Sequence, residues 1–137
     1  MKSSIFKFKN LHLGLCSLIV TGVGFTYGIS PNKILPFFFD FNVDSIDLNN
    51  VFRAIMGLYL GLAFYWIIGI FKPEYWRNAT LICIIFMGGL AFGRIVSIIF
   101  DGIPSLPFSL GTILEILLMF WGIGNLNKSK YFERNEV

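Results

Sequence analysis

Four ionisable side chains, Arg53, Arg94, Asp101 and Glu115, stand inside or at the end of long apolar runs of this 137-residue chain. A charge placed in hydrocarbon is costly, so each marks a candidate functional site. At the rise of an α-helix, Arg53 lies roughly 8 Å, Arg94 roughly 9 Å and Glu115 roughly 13 Å from the same end of the helices that carry them. The matched depth on three different helices points to one shared site. Its formal charge is zero, two arginines against one aspartate and one glutamate. Three chemistries fit such a set. Paired and hydrogen-bonded charges can act as structural glue. The arginines can hold a small anion, a carboxylate or a quinone-like head group. Glu115 can relay a proton, although guanidinium groups nearby stabilise the carboxylate and argue against that role.

The elements that position these residues must turn them inward. Arg94, Ser97 and Asp101 recur at i, i+3 and i+7 and share a helix stripe. Asp101 sits where a helix C-terminus disfavours an anion, so a neighbouring cation is expected. Arg53 shares a face with Gly57 and Gly61, and Glu115 roughly with Gly111 and Gly122. Gly89 and Gly93 form a further small pair. Glycine lets helices approach closely in lipid, so Gly57, Gly61, Gly89 and Gly93 are expected at helix–helix contacts.

Composition supports a membrane setting. Hydrophobic residues make up 55% and charged residues 14% of the chain, with a mean hydropathy of +0.72. A soluble domain usually carries about 25% charge, so disorder is excluded and an ordinary soluble fold is not expected. Two cysteines and one histidine form neither a disulfide scaffold nor a structural zinc site of the usual kind. A crossing helix needs about 20 apolar residues, and four stretches qualify, at about 11–30, 48–71, 78–100 and 106–125. The expected fold is an all-α, integral membrane four-helix bundle. It has a short N-terminal segment 1–10, an outer interfacial loop 31–47 and a tail 126–137.

Helix ends are also legible. Asp47 or Asn49 is expected to cap the second helix, Asn78 the third and Ser105 the fourth. Lys72-Pro73 ends the second helix, and Asp101-Gly102 with Pro104 ends the third. The N-terminal run has no convincing signal-cleavage site. Eight of the 11 basic residues (Lys2, Lys7, Lys9, Lys72, Arg77, Lys128, Lys130 and Arg134) fall on the side that holds both termini. The remainder are Lys33, Arg53 and Arg94. By the retention of Lys and Arg in the cytoplasm, both termini are expected inside the cell, with Tyr75, Trp76 and Tyr131 in an aromatic belt there. The outer loop carries Phe37, Phe38, Phe39 and Phe41, and is expected in the interface or over the bundle mouth.

Cys16 and Cys83 belong to the cytoplasmic half. They read as small hydrophobes on the diagonal first and third spans of a simple up-down bundle. His12 reads as standing alone at the inner interface. Tyr59, Tyr65 and Trp66 read as packing residues. There is no Gly-rich phosphate loop, nucleophile elbow or metal-ligand run. No metal or cofactor is therefore expected, and the chain reads as non-enzymatic. The tail interleaves Glu133 and Glu136 with its basic residues and is not a nucleic-acid patch. The expected partners are the lipid bilayer and either another membrane protein or a second copy of the chain.

The segment from Leu48 through Arg53, Gly57 and Tyr59 resembles the second-helix signature of domain of unknown function 4345. So does the segment from Gly89 through Gly93, Arg94 and Ser97 to Asp101-Gly102-Ile103-Pro104, and Glu115 also fits. The resemblance covers about residues 10 to 125. It departs at Met56, where the family commonly has a second glycine before Gly57. It implies a small bacterial four-helix membrane protein, similar in build to DoxX-like proteins, with no assigned activity. An accessory or interaction protein is the first functional expectation. A carrier or binder of a small anionic or quinone-like molecule is the second, and a DoxX-like redox-linked membrane subunit the third.

Overall fold

The computed structural model describes the backbone of residues 2–39 and 41–135, and the side chains of 10–39 and 41–129. The described residues form five helices and no strand: α1 (Lys2–Gly28), α2 (Pro31–Phe38), α3 (Ile46–Phe71), α4 (Pro73–Asp101) and α5 (Leu106–Asn135). Within four of them, Asn10–Gly28, Ile46–Phe71, Pro73–Asp101 and Leu106–Ser129 are long and apolar enough to cross a membrane. The chain is therefore an all-α, multi-pass membrane protein. Large apolar side chains such as Leu18, Phe64, Ile85, Phe92 and Leu117 are exposed on its surface, as lipid-facing residues should be.

Local chemistry explains where the helices begin and end. Ser45 caps α3, its hydroxyl oxygen accepting from the Leu48 amide at 3.0 Å. This corrects the expected Asp47 or Asn49 cap. Asn49 instead donates its side-chain amide to the Ser45 carbonyl at 2.9 Å, one turn inside the helix. Only Lys72 separates α3 from α4. The proline that follows holds Lys72 in an extended conformation (φ −117°, ψ 100°), and Pro73 itself opens α4, where its missing N–H has no cost. The third span thus begins five residues before Asn78, which lies inside α4 and caps nothing. Gly102, with φ +98°, ends α4. Few residues other than glycine adopt that value without strain.

α1 packs mainly on α3, α3 on α4, and α4 on α5, while α1 also touches α4 and α5. The core contains Leu13, Cys16, Val20, Tyr59, Trp66, Trp76, Ala79, Cys83, Met87 and Leu118. Trp76 is buried there and does not stand in an aromatic belt. Tyr131 of the expected belt lies outside the described side chains. Ser17 turns its hydroxyl to the Leu13 carbonyl at 2.7 Å and Thr80 to that of Trp76 at 2.9 Å. Both polar groups are thereby satisfied within their own helices.

The close-packing glycines differ from those expected. A β-carbon on Gly57, Gly61, Gly89 or Gly93 would meet nothing within 4 Å, and all four residues are exposed. The tight positions are Gly28 against Met56, Gly69 against Ala79, and Gly122 against Ile84 and His12. The glycine stripes face away from the core because the buried faces of α3 and α4 run through Tyr59, Ala63 and Trp66 and through Cys83, Met87 and Ala91.

Candidate functional site

Arg94 on α4 meets Glu115 on α5. Its Nε donates to both carboxylate oxygens, at 3.0 Å to Oε1 and 2.9 Å to Oε2. Side-chain exposure is 21% for the arginine and 9% for the glutamate, so the pair is largely withdrawn from the surface. Gly111, one turn before Glu115, leaves room for the guanidinium: a β-carbon there would lie 3.9 Å from Cζ and Nη2. The cation also stands over the Phe108 ring, 5.3 Å from its centroid, an arrangement favoured by the ring quadrupole. Nε alone serves Glu115, so the two terminal NH2 groups of Arg94 are left over from the ion pair, with the Tyr27 side chain beside them.

Beside this pair lies a cavity of about 210 Å³ between α1, α3, α4 and α5. Ile19, Val23, Met87, Leu90, Leu114 and Leu118 give it apolar walls, while Arg94, Glu115, Tyr27 and Tyr59 supply the polar atoms. Phe39 and Phe108 border it at the end of the bundle that carries α2, stacked with centroids 4.4 Å apart and planes 21° from parallel. Phe39 also stacks on Phe41, and Phe41 on Phe52. The segment 31–47 therefore divides its phenylalanines between two tasks. Phe39 is half-buried against the cavity, whereas Phe37 and Phe38 are exposed beside it. Pro31 and Leu35 are the buried residues of α2.

The structure brings together two of the residues expected in the charge cluster and leaves out three. Arg53 is exposed on α3 and makes no ion pair among the described residues. Ser97 donates to Asp101 Oδ2 at 2.9 Å, but both are exposed at the end of α4. The i+3 and i+7 spacing from Arg94 was sound as a helix stripe. Ser97 and Asp101 nevertheless remain exposed, and only the Arg94 part of the stripe is covered by α5. Tyr27, Tyr59 and Phe39 were not singled out for this site, since nothing local marks which aromatic residues of an apolar helix will line a cavity.

A second constellation forms near the other end of the bundle. His12, Cys16 and Cys83 are each 0% exposed, and one potential ligand atom from each lies within 4.8 Å of the others. His12 does not stand alone, and the cysteines meet although their helices are diagonal. The spacing of His12 and Cys16, i and i+4 on one face, was the available signal. Contact between α1 and α4, which brings Cys83 to that face, is tertiary.

Residues 8–124 match the family model described as domain of unknown function (DUF4345). The match covers most of the chain, which therefore belongs to this family of uncharacterised domains. Neither the curated proteins nor the solved structures contain a match.

Proposed function

We propose that this protein is a non-enzymatic, multi-pass protein of the bacterial inner membrane, with both termini cytoplasmic, that holds a small neutral molecule bearing a hydrogen-bond-accepting head, such as a quinone-like carbonyl, in the cavity beside Arg94. The observation that carries this reading is the Arg94 guanidinium at the edge of a largely apolar cavity, with terminal N–H groups that Glu115 does not take up. Glu115 already balances the arginine charge, so an anion would leave the site net negative in a poorly solvated setting. A neutral acceptor takes NH2 donors that Glu115 leaves, alongside the Tyr27 side chain, without that penalty. A cavity near 150 Å³ is enough for benzene, so about 210 Å³ admits a single substituted ring. The 8-to-3 division of basic residues supports the orientation.

Thermal unfolding of the detergent-purified protein with a short-chain benzoquinone, and separately with benzoate, tests the assignment. A neutral quinone at a hundredfold excess over its Kd should stabilise the fold by about 2.7 kcal/mol, and benzoate should do so far less. Gly111→Leu, which adds bulk at the cavity wall, should abolish the quinone effect. Indifference of the wild-type protein to quinone, or an equal response from Gly111→Leu, would sink the proposal. The second reading, an accessory protein that uses Arg94–Glu115 only as glue, is favoured by the neutrality of the pair. It is the reading left standing if no ligand binds.

A further inference from the structure

We propose that His12, Cys16 and Cys83 form a binding site for a single thiophilic d10 cation, Zn(II) or Cu(I), enclosed between α1, α4 and α5. This site is separate from the cavity beside Arg94. Along α4, Cys83 and Arg94 are 11 residues apart, roughly 16 Å. Cys16 and Cys83 lie one helical turn before Val20 and Met87, both of which line that cavity.

The donor set is the first support. Thiolate sulfur and imidazole nitrogen together select Zn(II), Cu(I) and similar soft or borderline metals over magnesium or calcium. The spacing is the second. A tetrahedral cation with metal–sulfur bonds of about 2.3 Å and a metal–nitrogen bond of about 2.0–2.1 Å holds sulfur and nitrogen roughly 3.6 Å apart. Cys16 Sγ and His12 Nε2 are 3.6 Å apart. The third is enclosure. His12, Cys16 and Cys83 are each 0% exposed, and one ligand atom from each lies within 4.8 Å of the others, so all three donors converge on one dry point between the helices.

Metal binding is a simple exchange of protons for a cation. As the ring proton moves from Nε2 to Nδ1, the Nε2–H contact to the Leu118 carbonyl, which only accepts, is given up; the ring then turns its freed Nε2 lone pair to the thiols, and each ligating thiol releases its proton as it binds. No electron is transferred. With both thiolates and a neutral imidazole, Zn(II) leaves the site neutral. Cu(I) reaches neutrality with one thiolate, and its acceptance of three or fewer ligands suits a dry enclosure.

The full-length protein, purified in detergent under reductant and stripped of metal, is titrated separately with Zn(II) and Cu(I) against a colorimetric chelator. A single equivalent of at least one cation should be retained, and the preference between them names the physiological metal class. X-ray absorption on the loaded wild-type protein should show a shell of sulfur and nitrogen, which needs no variant to fold. Cys16→Ser and Cys83→Ser, confirmed as folded by size exclusion and tryptophan fluorescence, should each lower the affinity at least tenfold. Arg53→Gln, on an exposed part of α3, should leave it unchanged. Retention of neither metal overturns the proposal. So does an oxygen-only shell, undiminished binding by the folded cysteine variants, or a Cys16–Cys83 disulfide found in place of metal. None of these readings depends on quinone binding, so the two sites stand or fall separately.

Discussion

At the scale of single residues, the Arg94–Glu115 contact is an ion pair that joins α4 to α5. Its Nε sits between two carboxylate oxygens, and both partners are mostly buried. Removing one member of such a pair strands the other charge, at a cost of about 3–5 kcal/mol in soluble proteins. In a bilayer the survivor can attract water or lipid head groups, which lowers that figure. Arg94→Gln and Glu115→Gln should each reduce thermal stability in detergent. The double variant should recover part of the loss because no charge is left uncompensated. Strictly additive losses would show that the two side chains do not stabilise each other. Arg53→Gln, on an exposed part of α3, should change stability by less than about 0.5 kcal/mol. A large loss there would mean that Arg53 has a partner from outside the chain.

Among the elements, the glycines divide into two sets with opposite expected behaviour. In the membrane little hydrophobic force holds helices together, and close van der Waals contact matters more. Gly69 faces the β-carbon of Ala79, and Gly28 faces that of Met56. Neither neighbour can move without its backbone. Gly69→Ala and Gly28→Ala should therefore push α3 from α4 and α1 from α3, destabilising the protein by about 1–3 kcal/mol. At Gly57, Gly61, Gly89 and Gly93 a β-carbon enters open space. Alanine there should be neutral or stabilising by up to about 1 kcal/mol per site, because glycine is the poorer helix former. Unfolding in a denaturing detergent titration separates the two sets. A loss at the second set in purified monomer would show that those stripes pack within the chain after all.

For the whole molecule, the measurable property is orientation. Four crossing segments place the start of α1 and the end of α5 on the same side of the membrane, and the excess of Lys and Arg on that side predicts the cytoplasm. A phosphatase reporter fused after Val137 should be inactive, and one inserted between Asn42 and Ser45 should be active. The reverse pattern would invert the protein, placing α2 and the mouth of the Arg94 cavity inside the cell. The cavity would then draw its ligand from the inner leaflet, so this experiment also decides which side supplies it.

The amino-acid sequence by itself determined the membrane class, the four crossing segments, the breaks at Lys72-Pro73 and Gly102, and the depth at which Arg94 and Glu115 meet. Each of these follows from local chemistry or from rise along a helix axis. Three things required the tertiary structure. Rotation of each helix about its axis decided that Arg53 and the Gly57, Gly61, Gly89 and Gly93 stripes face outward, because an almost wholly apolar helix carries little contrast between its faces. The fold of the segment 31–47 set Phe39 against the cavity and left Phe37 and Phe38 exposed. Contact across the bundle between α1 and α4 joined His12 and Cys16 to Cys83. Sequence spacing relates residues within one helix, but the distance between helices depends on which side chains interlock, here Gly69 with Ala79 and Gly122 with Ile84 and His12.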